Sequence, residues 1–88
     1  MNYWRFRSLK IGARVRLHWV DITEKTTEEP NEVSPTLLWT EGRFLGLERD
    51  KKRGYFVRLG NTYDEDNEEW FGACAFPLGC VRGVEILG

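Results

Sequence analysis

Few residues in this chain can do chemistry, and their spacing limits what that chemistry could be. His18 is the only histidine, and it stands between Leu17 and Trp19, two residues from Arg16. Acid–base or nucleophilic catalysis needs a nucleophile, a base and an orienting group within hydrogen-bond reach. Ser8 and Ser34 sit in no strained nucleophile turn, and neither Cys74 nor Cys80 has a histidine close in sequence. His18 reads as a surface residue and the chain as non-enzymatic. Gly42 and Gly46 match the spacing of neither the dinucleotide fingerprint nor the P-loop, and no Gly-Lys-Ser/Thr occurs.

Asp64, Asp66 and Glu68 stand at alternate positions, a spacing of hard oxygen ligands that can hold Ca²⁺. The turn glycine and the distant bidentate acid of a calcium loop are lacking, so a solvated acidic loop that attracts a basic partner is the better reading. Zinc needs about four ligands in closely spaced pairs, and two cysteines with a distant histidine do not supply them. No cofactor is expected. Cys74 and Cys80, with five residues between them, are expected to be free thiols in an intracellular setting.

The basic residues carry more promise. Arg14 and Arg16 fall on one side of an extended segment, and Lys51, Lys52 and Arg53 cluster at a turn. Such groups supply most non-specific affinity for phosphate, and exposed aromatics add about 1–3 kcal/mol per stacked base. Tyr3, Trp4 and Phe6 interleave with Arg5 and Arg7 in a pattern that suits such a surface. Against nucleic acid stand a pI of 5.8 and ten acids in two stretches, Asp21 to Glu32 and Asp64 to Glu69. Within a Debye length of ~8 Å those acids would offset the basic turn. Trp19, Trp39, Trp70 and Tyr55 admit one further idea, an aromatic cage for a methylated cation, although aromatics at strand positions are more often core.

Several short elements must position these groups. With 88 residues there is room for one domain, 1–88, with 1–9 as an N-terminal arm or extra strand. Four Trp, three Tyr and five Phe supply the large side chains that so small a core needs. No apolar run approaches the ~20 residues that span a bilayer, and MNYWRFRSLK lacks the apolar core of a secretory signal. A cytoplasmic protein without membrane contact is the expectation.

From Ala13 to Trp19 apolar and polar residues alternate, the period of a half-buried strand. The stretch 23–36 is polar and reads as a long loop. Leu37 to Leu47 resumes an extended run anchored by Leu38, Trp39, Phe44 and Leu45, with Gly42 and Gly46 at bends. Glu48 to Arg53 connects a hairpin that Gly54 closes with a positive φ, and Tyr55 to Leu59 returns. Residues 60–69 read as a second, acidic loop. Trp70 to Phe76 is extended, Pro77 and Gly79 mark a turn or a round of 3₁₀ helix, and Val81 to Leu87 closes the chain. Trp19 and Trp39 are both expected on the buried side. Short strands with glycine-rich turns mean an all-β barrel or sandwich.

The order of these pieces, KIGARVRLHW, a long polar loop, the bent hairpin EGRFLGLERDKKRGYFVRL and a turn before GVEIL, resembles a Src-homology-3-like small barrel of five strands. The resemblance covers the chain from Lys10 onward and implies an all-β binding domain. The first loop lacks the aromatic pair used in polyproline recognition. The expectation is a non-enzymatic module that binds another protein through residues 23–36 and 61–69 and the basic turn. Arg14, Arg16, Lys51, Lys52, Arg53, Asp64, Asp66 and Glu68 are the contact residues. Nucleic-acid binding through Arg14, Arg16 and Lys51 to Arg53 is the alternative. A small phage- or mobile-element-type accessory or inhibitor of a larger complex is the third. Oligomeric state is left open.

Overall fold

The computed structural model describes residues 4–21 and 35–88, and strands dominate both segments. A single helical turn, α1 (Trp4–Arg7), precedes β1 (Arg14–Asp21), β2 (Thr36–Asp50) and β3 (Gly54–Gly60). β4 (Thr62–Asp64) and β5 (Glu69–Phe71) pair with each other as a separate small hairpin. Next come β6 (Cys74–Pro77), a 3₁₀ turn (Leu78–Cys80) and β7 (Val81–Ile86). The main sheet is antiparallel in the order β6-β3-β2-β1-β7, and no ladder joins its edges β6 and β7 into a closed barrel. Among the described residues the protein is all-β apart from α1 and the 3₁₀ turn.

The alternation in β1 works as its residue types require. Val15 and Leu17 are fully buried and Trp19 packs against the core, while Arg14, Arg16 and His18 lie on the opposite, outer face. Leu17 touches no water, and Phe44, Val57, Leu59, Phe76 and Val81 complete the inner layer around it. The Trp19 ring meets Phe76 edge-on at 5.2 Å, and its Nε1 donates to Thr40 Oγ1 at 3.0 Å, so the one polar atom of the indole is satisfied. Of the N-terminal segment, residues 4–7 form a helical turn and not a strand. This α1 turn brings Phe6 down onto Phe44, rings stacked at 6.2 Å, and Phe6 is only 1% exposed.

β2 is the longest strand and changes partner midway. It pairs with β1 from Thr36 to Arg43 and with β3 from Arg43 to Asp50, with a bulge between Phe44 and Gly46. Where the partners meet, the chains come too close for side chains. A Cβ on Gly42 would lie 2.9 Å from the Gly60 carbonyl oxygen. A Cβ on Gly60 would enter the Trp70 indole, at 2.6 Å from Cε3. Gly60 thus gives Trp70 its seat, and Tyr63 packs on Trp70 at 5.2 Å. The acidic stretch 60–69 is therefore a docked hairpin rather than a loop.

Trp39 is the clearest departure from expectation. It lies across from His18, on the outer face, and is 60% exposed. Leu38, across from Trp19, takes the inner side instead. Trp19 and Trp39 face opposite ways, Tyr55 stands at the far end of the β2–β3 hairpin, and Trp70 seats on Gly60, so no aromatic cage forms from these four. Cys74 and Cys80 are free thiols with no disulfide between them. Among the described residues no helix is long and apolar enough to cross a membrane.

These positions order the cost of truncation. Leu17→Ala should destabilise the fold by about 2–5 kcal/mol through lost burial and a cavity, whereas Trp39→Ala should change stability by no more than about 0.5 kcal/mol. Urea titration followed by far-ultraviolet circular dichroism reads both. Gly60→Ala should cost about 1–3 kcal/mol by forcing the Trp70 ring out of its seat, seen as a red shift of tryptophan emission.

Candidate functional site

The outer face of β7, β1 and β2 gathers the most organised set of polar side chains in the molecule. Facing residues of an antiparallel pair share a side, so the β1–β2 register lines up Arg14 with Arg43, Arg16 with Glu41, His18 with Trp39 and Val20 with Leu37. On the other flank β7 sets Glu85 beside Arg16 and Gly83 beside His18. Arg16 is the hub. It donates to Glu41 Oε1 through Nε at 2.9 Å and again through Nη2, and Nη1 lies 3.7 Å from Glu85 Oε2. Its guanidinium carbon also sits 4.7 Å over the centre of the Trp39 ring. The hydrogen bond to Glu41 is the main reason its pKa is raised above the ordinary arginine value. Glu85 Oε1 in turn lies 2.7 Å from His18 Nε2.

This chain of contacts fixes the Trp39 indole over an ion-paired platform yet leaves most of the ring open to solvent. Leu37, one pair further along the same face, is 77% exposed. The face thus grades from charge at Arg14 and Arg43 to apolar surface at Trp39, Val20 and Leu37.

The basic and acidic turns lie elsewhere. Lys51, Lys52 and Arg53 form the β2–β3 turn, seven residues along β2 from the position facing Arg14, which is up to about 23 Å of strand. Arg14 and Arg16 therefore do not form one surface with Lys51, Lys52 and Arg53. Asp50 builds this turn: its Oδ1 accepts from the Lys52 and Arg53 amides at 2.7 and 3.1 Å, and its Oδ2 accepts from Arg53 Nη1. Gly54 closes the turn at φ 79°.

Two aromatic–guanidinium contacts lie on this hairpin, Arg49 over Tyr55 at 5.8 Å and Arg58 over Phe56 at 5.6 Å. Arg58 also donates to Glu48 at 3.0 Å. Phe56, Ala75 and Pro77 floor a shallow depression there, with Arg53 and Arg58 at its rim.

Asp64, Asp66 and Glu68 belong to the β4–β5 hairpin, rooted at Gly60, the end of β3 away from the basic turn. Six residue steps along β3 separate the two roots by about 20 Å, beyond the Debye length of ~8 Å. The five acids of this hairpin are thus rooted too far off to cancel the basic turn; Glu24, Glu28, Glu29 and Glu32 lie outside the described residues, as do residues 23–34 of the expected contact loop. Asp64 turns its carboxylate inward on its own hairpin, accepting from the Asp66 amide at 3.0 Å and from Asn67 Nδ2 at 2.8 Å. Asp66 and Glu68 are exposed. Among the described residues no three His, Cys, Asp or Glu side chains gather as metal ligands.

Sequence reasoning named Arg14 and Arg16 for this face but missed Trp39, Glu41, His18 and Glu85. The signal for Trp39 was weak: Leu37, Leu38 and Trp39 are three apolar residues in a row, and such a run has no period to choose a face.

The two turn-building aspartates carry a pH prediction. Hydrogen bonds hold both carboxyls below the ordinary value near 3.8, chiefly from the Lys52 amide for Asp50 and from the Asn67 side chain for Asp64. A carboxyl with a depressed folded pKa contributes its stability in full above the unfolded value and loses it as pH falls through the folded one. On acidification below about pH 4, the amide resonances of Lys52, Arg53 and Asp66 should shift with midpoints below 3.8, and Asp50→Asn should abolish that titration at Lys52 and Arg53.

Compared with known proteins, the chain matches no family model, no curated protein and no solved structure.

Proposed function

We propose that this chain is a non-enzymatic protein-binding module with a Src-homology-3-like architecture, and that its partner docks on the outer face around Trp39. The architecture rests on element order: an opening strand, a long connection, a bent central hairpin and a 3₁₀ turn before the closing strand. The two edges of the sheet, β6 and β7, are neighbours in the chain across that three-residue turn.

One observation carries the functional reading. Trp39 is an exposed indole held in place by a cation that is itself already paired. Tryptophan and arginine dominate the energetic centres of protein interfaces, ringed by polar groups that exclude water. Arg16 is engaged by two carboxylates, so a phosphate approaching it meets Glu41 and Glu85 as well. A face of that kind suits a protein surface with its own apolar anchor better than a nucleic-acid backbone.

A second reading has its own observation. The β2–β3 hairpin joins Lys51, Lys52 and Arg53 to the Arg49–Tyr55 and Arg58–Phe56 contacts, a mixture of cations and aromatics that favours single-stranded nucleic acid. The two readings place their ligands on different parts of the molecule, so variants separate them.

Trp39→Glu should abolish recovery of a partner protein in pull-downs from native lysate and leave any oligonucleotide binding unchanged. Replacing Lys51, Lys52 and Arg53 together by Ala should leave the partner bound. Tight, salt-dependent binding of an oligonucleotide, weakened by the triple variant with a salt slope lowered by roughly one unit per lost phosphate contact, would establish the second reading instead.

A further inference from the structure

Arg14 and Arg43 stand directly opposite each other at the end of the β1–β2 ladder. Phe44 N donates to the Ala13 carbonyl at 2.8 Å, so the backbone groups of Phe44 point toward β1. Hydrogen-bonding direction alternates along an antiparallel strand. Gly42, Thr40 and Leu38 therefore point toward β1 as well, whereas Arg43, Glu41, Trp39 and Leu37 turn their N–H and C=O groups away. Arg14 and Arg43 thus form a non-hydrogen-bonded pair, the kind with closer side chains, roughly 4.5–5.5 Å between Cβ atoms. Like charges placed in this way destabilise a sheet.

Among the described residues no Asp or Glu side chain pairs with either guanidinium. Arg43 Nη1 donates to the Gly12 carbonyl at 3.2 Å, which ties the group down without neutralising it. β7 meets Arg14 through backbone, Leu87 N donating to its carbonyl at 2.8 Å and Gly88 O accepting its N–H at 3.0 Å. The next arginine on this face is treated differently, for Arg16 has both Glu41 and Glu85. Arg14, Arg43 and Glu41 line a recess of about 260 Å³, which Gly42 and Asn61 complete. Asn61 adds a side-chain amide to the two guanidiniums. Two facing arginines without a carboxylate between them, over a small polar recess, suit an oxyanion.

We infer that this recess takes the phosphate monoester of a phosphorylated serine or threonine on the docking partner. The inference rests on the protein-docking reading of the Trp39 face. The recess belongs to that face, with Arg43 four residues, or about 13 Å, along β2 from Trp39.

Charge and surroundings choose the occupant. A phosphate monoester carries about −1.5 to −2 at pH 7, which answers both guanidiniums, whereas a carboxylate leaves one of them unmet. A nucleic-acid strand suits the recess less well. Glu41 stands on its wall and Glu85 lies just beyond, on Arg16, so the phosphates next in line would meet acids. A lone phosphate avoids them. From there the face runs on to Trp39 and Leu37, both exposed, so the molecule that carries the phosphate must bring apolar surface with it, as a protein does.

The test uses the full chain, with the arginine Nε–Hε resonances observed, and two small probes, N-acetyl-phosphoserine amide and N-acetyl-glutamate amide. At low salt the phosphoserine probe should shift the Arg14 and Arg43 resonances together along one saturable curve. The glutamate probe should bind about fivefold more weakly or worse. Arg14→Gln, which has no side-chain hydrogen bond to lose among the described residues, should weaken the phosphoserine probe by about fivefold or more. Lys52→Gln, at the far turn, and Trp39→Ala should leave it unchanged. Phosphatase treatment of the lysate should abolish recovery of the partner.

Absence of shifts at Arg14 and Arg43, or equal binding of the glutamate probe, overturns the phosphate site whatever the pull-downs show. So does an oligonucleotide without terminal phosphates that shifts the two resonances as strongly. A partner recovered equally well after phosphatase treatment, yet lost with Trp39→Glu, overturns the phosphorylated occupant and leaves the docking reading standing. Recovery that does not depend on Trp39 overturns the docking reading instead, so the failures are distinguishable.

Discussion

β2 is paired along its whole length, yet each half has a different partner, and the rest of the molecule depends on that handover. At Arg43 the strand faces Arg14 on one side and Gly60 on the other, and it has both neighbours only around this point. The crossing brings the Gly60 carbonyl over Gly42 and leaves room for Trp70 to lie on Gly60. Immediately beyond, Phe44 takes its place between Phe6 and the inner layer, and the Phe44–Gly46 bulge turns the second half away. Core, hairpin seat and outer face all meet within a few residues of the handover.

Among the described residues the core is small, with eight buried side chains, all apolar. No buried side-chain polar atom among the described residues lacks a hydrogen-bond partner, so the interior carries no polar penalty. Charge is kept to the surface and organised there. Asp50 and Asp64 shape their own turns, and Arg16 binds Trp39, Glu41 and Glu85 into one platform. Exposed ion pairs of this kind add little to stability. Their effect is to hold the indole of Trp39 in one orientation, which would lower the entropy lost in the proposed docking of a partner over it.

How much of this was legible depended on period. β1 could be read face by face because Ala13 to Trp19 alternates without a break, and each side chain lies where that alternation puts it. The all-β class followed from the same kind of pattern, and Pro77 and Gly79, as breakers of an extended run, marked the place of a turn or a round of 3₁₀ helix, which is the 3₁₀ turn Leu78–Cys80. The run Leu37-Leu38-Trp39 offered no alternation, and the register against β1, not propensity, sent Trp39 outward. Residues 60–69 looked like loop because composition hides pairing. The signal was Tyr63 and Trp70, two aromatics bracketing the acidic turn, which face each other across β4 and β5. α1 was too short for any helical period, and only the burial of Phe6 reveals its purpose. The Arg16 platform joins residues 16, 39, 41 and 85, and no local pattern links positions so far apart.

The central claim is that, among the described residues, the first half of β2 pairs with β1 on one edge and with no strand on the other, presenting Trp39 on its outer face. Residue-by-residue amide exchange along Leu37 to Gly42 in the free, dilute protein measures it most directly. The account predicts alternation: slow exchange at Leu38, Thr40 and Gly42, and fast exchange at Leu37, Trp39 and Glu41. Uniform slow exchange across all six residues would mean that both edges are paired, and would contradict it.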